Sequence, residues 1–214
     1  MTTGPAMPLL LGLAGMLLSP ACELLITRSL PRLGPLPSLR VRITTAAVTA
    51  LLFGLLAWRF GFSFELPAYL LMALLGVQLS RIDFALHLLP NRLVLALLGG
   101  GLLLLGLAAA LSPAWLELLR ALAGGAILFA GYLILGIISP RGLGMGDVKL
   151  AAPLGLYLGY LGWNQVLYGG LLGFVVGGVL TVLMLRVGSA EKPRETAHGP
   201  AMLAAALGVV LLLQ

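Results

Sequence analysis

The chain is dominated by apolar runs bounded by charge, Pro and Gly. They lie near Leu9–Thr27, Ile43–Phe60, Leu66–Ser80, Leu93–Leu111, Trp115–Ser139, Asp147–Leu161, Asn164–Arg186 and Gly199–Leu213. A chain inside hydrocarbon must satisfy its own backbone hydrogen bonds, so only helices or closed barrels span a bilayer. These runs lack the alternation of barrel strands. The sequence therefore predicts an all-α integral membrane protein: one bundle of about eight transmembrane helices over residues 1–214, with the lipid bilayer as its surroundings. The third, sixth and eighth runs are short against the ~20 residues a span normally needs. Composition agrees, since 60% hydrophobic and 9% charged residues lie outside the range of soluble domains.

The sparse charges predict an orientation. Eleven of the 13 basic residues fall on alternate connections: Arg28, Arg32, Arg40 and Arg42, then Arg81 and Arg92, then Arg141 and Lys149, then Arg186, Lys192 and Arg194. Only Arg59 and Arg120 fall toward the other side. Positive connections face the cytoplasm, which places both termini outside. No basic residue precedes Arg28, so the first run reads as a span and not a cleavable signal. The net charge of +6 is not arranged as a basic stripe interleaved with aromatics, and nucleic acid is not expected as a partner. The single cysteine, Cys22, excludes an internal disulfide and a multi-cysteine zinc site. Small pairs such as Gly173–Gly177 and Gly124/Gly125 suit close packing inside the bundle.

Five of the seven acidic residues, Glu23, Glu65, Glu117, Glu191 and Glu195, sit at span ends or in loops, where a structural or solvated role suffices. Asp83 and Asp147 differ. Counting from Leu66 puts Asp83 ~25 Å down its helix, and counting back from Leu161 puts Asp147 ~21 Å down the sixth, against a ~30 Å layer. An ionisable group at that depth needs a partner, water or a chemical task. The local alternative is that Asp147 caps the sixth helix and Asp83 pairs with Arg81 or Lys149. Asp147 follows Gly142, Gly144 and Gly146, whose alternate spacing allows positive φ and close backbone approach. After Asp83, Pro90 breaks the helix and Asn91 is a plausible cap for the next. His87 lies one helical turn after Asp83, within reach of it or simply at the interface. Lys149 either assists the site or snorkels. Met145 packs, and His198 carries no assigned role.

Ile82-Asp83…His87…Leu89-Pro90-Asn91-Arg92-Leu93 and Gly142-Leu-Gly-Met-Gly-Asp-Val-Lys-Leu150, with weaker matches at Thr45–Gly61 and Gly199-Pro200, resemble the type IV prepilin peptidases and the related preflagellin peptidases. The resemblance covers nearly the whole chain in order. It implies a membrane aspartic endopeptidase with Asp83 and Asp147 catalytic at a Gly-x-Gly-Asp site near the cytoplasmic face. Gly142, Gly144, Gly146, Lys149, His87 and Asn91 would support the site or bind substrate. The implied substrate is a prepilin or pseudopilin with a basic leader, cut after a glycine, and a hydrophobic N-terminal helix; from the placement of the aspartates, that helix is expected to dock beside the third and sixth spans with the leader junction against Gly142 to Asp147. No cofactor is implied. Larger members carry a cysteine-rich cytoplasmic insertion that binds zinc and accompanies N-methyltransferase activity. Here that region is the short stretch 29–42 without cysteine, so neither zinc nor methylation is expected; a compact form is what the peptidases of Tad-type pilus systems and preflagellin peptidases look like.

Two other readings compete. Paired intramembrane carboxylates also build transporters and proton-coupled channels, although the Gly-x-Gly-x-Gly-Asp stretch and the lack of internal repeats count against this. A general intramembrane protease with a Gly-x-Gly-Asp site would differ in substrate more than in chemistry.

Overall fold

In a computed structural model of the protein, the described residues are 6–138, 143–186 and 198–213, less the side chains of 180–186. Among them are eight α-helices and no strand: α1 (Ala6–Ser29), α2 (Leu39–Phe60), α3 (Leu66–Leu86), α4 (Asn91–Leu111), α5 (Trp115–Ile138), α6 (Met145–Leu161), α7 (Trp163–Arg186) and α8 (Gly199–Leu212), with a 3-10 turn at Pro31–Leu33. Ser139, Arg141 and Gly142 lie outside the described residues, as do Glu191, Lys192, Arg194 and Glu195. Helices α1 to α5 are each long and apolar enough to cross a membrane, and α8 is a shorter apolar helix.

The third helix corrects the expectation of a short span ending at Ser80. It runs for 21 residues and carries Asp83 within its last turns. Nothing between Arg81 and Leu86 breaks a helix, so polarity alone does not end it. The end comes at His87, a left-handed residue (φ 48°, ψ 45°) whose N–H donates to the Asp83 carbonyl at 2.9 Å. Pro90 then starts α4 as its N-cap, and its carbonyl accepts from Leu93 and Val94. Asn91 is thus the first residue of α4 and not its cap.

Helices pack as sequential pairs, α1 with α2, α5 with α6 and α7 with α8. Helix α3 touches α2, α4 and α8, and α6 touches α4, α7 and α8. The inner helices are α3, α6 and α8, and most residues of α6 from Asp147 to Tyr160 are buried. Lipid tails are as apolar as leucine, so helix association here rests on close contact and internal hydrogen bonds. The α5–α6 seam provides the contact. A Cβ on Gly124 would sit 2.6 Å from the Gly155 carbonyl oxygen, and one on Gly159 would sit 2.7 Å from that of Arg120. The expectation that Gly124, Gly125 and Gly173 serve internal packing therefore holds. Buried hydroxyls add the bonds: Tyr69 donates to the Tyr157 carbonyl at 3.0 Å, and Tyr157 to that of Leu97 at 3.2 Å, tying α3 to α6 and α6 to α4.

The basic residues away from the positive connections have structural partners. Arg120 donates to the carbonyls of Gly159 and Tyr160, both at 2.7 Å, and Arg59 to that of Leu213 at 3.3 Å. Each guanidinium covers carbonyls that a helix C-terminus leaves unpaired. Glu23 is not a solvated span end. It is fully buried within α1, accepts from Thr45 Oγ1 at 2.7 Å and pairs with Arg42 Nε at 3.3 Å. Its structural reading stands.

Candidate active site

Helix geometry brings the two aspartate motifs to one end of the bundle. Asp83, 5% exposed, ends α3, and Asp147, 7% exposed, begins α6. Between them lies Leu89, buried in the turn from α3 to α4. A Cβ on Gly146 would meet the Leu89 Cβ at 3.1 Å. On the other side, a Cβ on Gly199 would meet Leu89 Cδ1 at 3.1 Å and Asp83 Oδ2 at 2.8 Å. One leucine is thus wedged between the first turns of α6 and α8, with an aspartate next to each.

The two carboxylates have different settings. Asp147 is the third residue of α6, where its Oδ2 accepts the Gly144 N–H at 3.3 Å while its own N–H donates to the Gly144 carbonyl at 3.0 Å. This reciprocal cap, together with the positive end of the α6 macrodipole, favours the anion. The alternative that Asp147 is the N-cap of the sixth helix is corrected: the helix starts at Met145 with Gly144 as N-cap, and Asp147 bonds back to it from the third helical position. Asp83 Oδ2 is buried without a hydrogen bond of regular geometry among the described residues, with the backbone of Gly199 lying against the carboxylate. It faces the start of α8, again a helix N-terminus. Pairing with Arg81 or Lys149 is not what holds it: Arg81 Nε donates to Gln78 Oε1 at 3.1 Å, and Lys149 Nζ to Asn91 Oδ1 at 3.1 Å.

The supporting residues divide. Lys149 and Asn91, both exposed, bridge α6 to α4 close to the site. His87 is exposed; it lies within electrostatic reach of Asp83 and holds the helix end through its backbone. Gly144 (φ −73°) and Gly146, which is helical, do not use positive φ. Gly146 matters instead because a side chain would strike Leu89. Gly142 lies outside the described residues.

Sequence reasoning missed an aromatic group on the far side of Asp147. Tyr132 of α5 stacks on Phe174 of α7 at 4.7 Å between ring centroids, and His198 lies 5.4 Å from Phe174 and 6.3 Å from Tyr132. Tyr132 is within electrostatic reach of Asp147. His198 immediately precedes Gly199, its Nε2 is buried without a partner among the described residues, and burial lowers its pKa. The ring fits because position 177 is glycine; a Cβ there would collide with it. A tyrosine inside a continuous apolar run carries no local signal, which is why Tyr132 was missed.

Fold and site define a helical membrane protein with two buried aspartates at one bundle end. The family model described as the type IV leader peptidase family matches residues 69–182, a stretch containing both aspartates. The chain belongs to the type IV leader peptidase family. Among curated relatives it is 39% identical over 153 residues to a prepilin leader peptidase/N-methyltransferase of Stutzerimonas stutzeri, covering 70% of this chain and 51% of the relative. It is 38% identical over 155 residues to the protein of that name from Pseudomonas aeruginosa, covering 71% and 51%. The Neisseria gonorrhoeae protein is 31% identical over 157 residues, covering 72% and 52%. The chain spans about half the length of these relatives. No solved structure matches. Membership of a peptidase family favours the peptidase over the transporter reading.

Proposed function

We propose that the protein is a membrane aspartic endopeptidase that removes the leader of type IV prepilins or pseudopilins after a glycine, at the cytoplasmic face of the inner membrane. The reading covers an eight-span bundle with both termini outside and the peptidase step alone, with stretch 29–42 as a plain connection. The observation that carries it is the convergence of Asp83 and Asp147, 64 positions apart in sequence, on either side of Leu89 at one buried bundle end.

The chemistry follows when the two carboxyl groups at this bundle end are brought together around a bound substrate, where they do not readily ionise together and so share one proton. The ionised member takes a proton from water as the water oxygen attacks the scissile carbonyl carbon. The protonated member donates to the carbonyl oxygen and stabilises the charge developing there. Collapse of the tetrahedral intermediate breaks the C–N bond as the leaving amine takes up a proton. The pair titrates as a unit, so acid and base roles belong to the dyad.

The test is cleavage of a full-length prepilin by purified protein in detergent. Asp83→Asn and Asp147→Asn should each lower turnover by at least about a thousandfold while the bundle stays folded. Substantial residual cleavage in either variant would refute the dyad. Among the described residues no group of three His, Cys, Asp or Glu side chains is placed to hold a metal. Exhaustive chelation is accordingly expected to leave the rate unchanged; loss that one divalent ion restores would count against an aspartic mechanism.

A further inference from the structure

An apolar groove of about 670 Å³ opens between α2, α3 and α8, with Val176 of α7 also lining it. Gly76, Ser80 and Phe84 of α3 and Ala201, Ala204 and Gly208 of α8 are among its lining residues. Helix rise makes it ~12 Å long on α3, from Gly76 to Phe84, and ~16 Å long on α8, from Pro200 to Leu211. A Cβ on Gly208 would meet nothing within 4 Å, so this part of the groove is open. One end of the groove is polar, with Thr44, Thr45, Ser80 and Arg81. That end adjoins the candidate active site: Phe84 follows Asp83, and Pro200 follows Gly199, which abuts Asp83 Oδ2.

We propose that this groove receives the apolar transmembrane helix of the substrate, delivering its polar flank to Asp83. The inference rests on the peptidase reading. Small residues four apart on the α8 wall, exposed Ala204 and open Gly208, allow another helix to approach closely, as small-xxx-small faces do, whereas Gly76 on α3 is already packed against Leu203. Continuity with Asp83 selects the occupant. A helix seated here leaves the bundle at the polar end, where the chain emerging from it passes the carboxylate. This moves the docking surface from the expected α3–α6 side to α3–α8. Helix α4 packs on both α3 and α6 along that other side.

The test compares two substrates, the full-length membrane substrate and a short soluble peptide spanning only the leader junction. Gly208→Phe and Ala204→Leu fill the groove from exposed or open positions. In each variant the ratio of kcat/KM for the full-length substrate to that for the peptide should fall about tenfold, the scale of a lost helix-packing contact. An unchanged ratio in both variants overturns the proposal. Cross-linking supplies a readout independent of turnover. In a Cys22→Ala background, Ala204→Cys should cross-link to a cysteine in the substrate's apolar helix, and Leu103→Cys, on the lipid-facing side of α4, should not. Equal cross-linking from both positions overturns it as well. A wild-type protein that cuts neither substrate yet cross-links selectively at Ala204→Cys would refute the peptidase reading and leave the groove assignment standing.

Discussion

Gly199 is defined by what a methyl group would meet there: a buried carboxylate oxygen 2.8 Å away and the wedge residue Leu89 at 3.1 Å. Neither neighbour can yield freely, because Asp83 is inside a helix and Leu89 is also pressed by Gly146. Gly199→Ala should therefore push Asp83 off its position, lowering leader cleavage at least about tenfold while costing about 1–3 kcal/mol of stability. Gly106→Ala, where a Cβ meets nothing within 4 Å, is the control and should leave both unchanged. Equal activity of the two variants would show that this contact does not position the carboxylate. At this scale the aspartates were legible because a carboxylate deep in an apolar run is anomalous wherever it points. Gly199 was visible only through a weak motif match, and Tyr132 not at all. Their importance arises from contacts between helices far apart in sequence. The expected cap at Asn91 failed because Pro90, one position earlier, is the N-cap, which leaves Asn91 inside the helix with its side chain accepting from Lys149.

Helices in this bundle end where the backbone is forced to turn, and the exposed carbonyls then need donors. Arg120 serves two carbonyls at the end of α6 at 2.7 Å, while Arg59 serves one at the end of α8 at 3.3 Å. Hydrogen bonds from a charged donor contribute more than neutral ones, so Arg120→Met should destabilise the protein by about 1.5–3 kcal/mol and Arg59→Met by less. Arg120→Lys should recover only part of the loss, because an ammonium lacks the planar fork that spans two acceptors. Thermal unfolding in detergent reads the order; equal midpoints for the Arg120→Met variant and the parent would refute it. The type of every helix was readable from continuous apolarity, and boundaries less so. Ser80 looked like the end of the third span because charge begins at Arg81. The helix continues to Leu86 because hydrogen bonding, not hydropathy, terminates it.

Across the whole molecule the polar contacts separate into two ends. At one, Arg92 of α4 reaches the Ser29 carbonyl of α1, Lys149 of α6 reaches Asn91 of α4, Arg42 of α2 meets Glu23 of α1, and Asp83 of α3 abuts Gly199 of α8. At the other, α2 meets the end of α8 through Arg59, and α5 meets the end of α6 through Arg120. Starts of even-numbered helices and ends of odd-numbered ones gather together, as an up-and-down bundle requires. Among the described residues, Arg28, Arg32, Arg40, Arg42, Arg81, Arg92 and Lys149 of the positive connections lie at or beside those helix ends, so there the charge pattern and the contacts agree on which residues share a face. Positive connections are retained in the cytoplasm, and on the proposed reading the Asp83 and Asp147 end lies there. A substrate anchored by an apolar helix with a short basic leader meets that face without its leader crossing the membrane. Single cysteines at Leu86, beside the end of α3, and Leu143, before α6, test this in a Cys22→Ala background. Both should react with a membrane-impermeant maleimide supplied from the cytoplasmic side of inverted vesicles and resist it in intact cells. Labelling of both positions only from the outside would invert the bundle and remove access of a cytoplasmic leader to the aspartates.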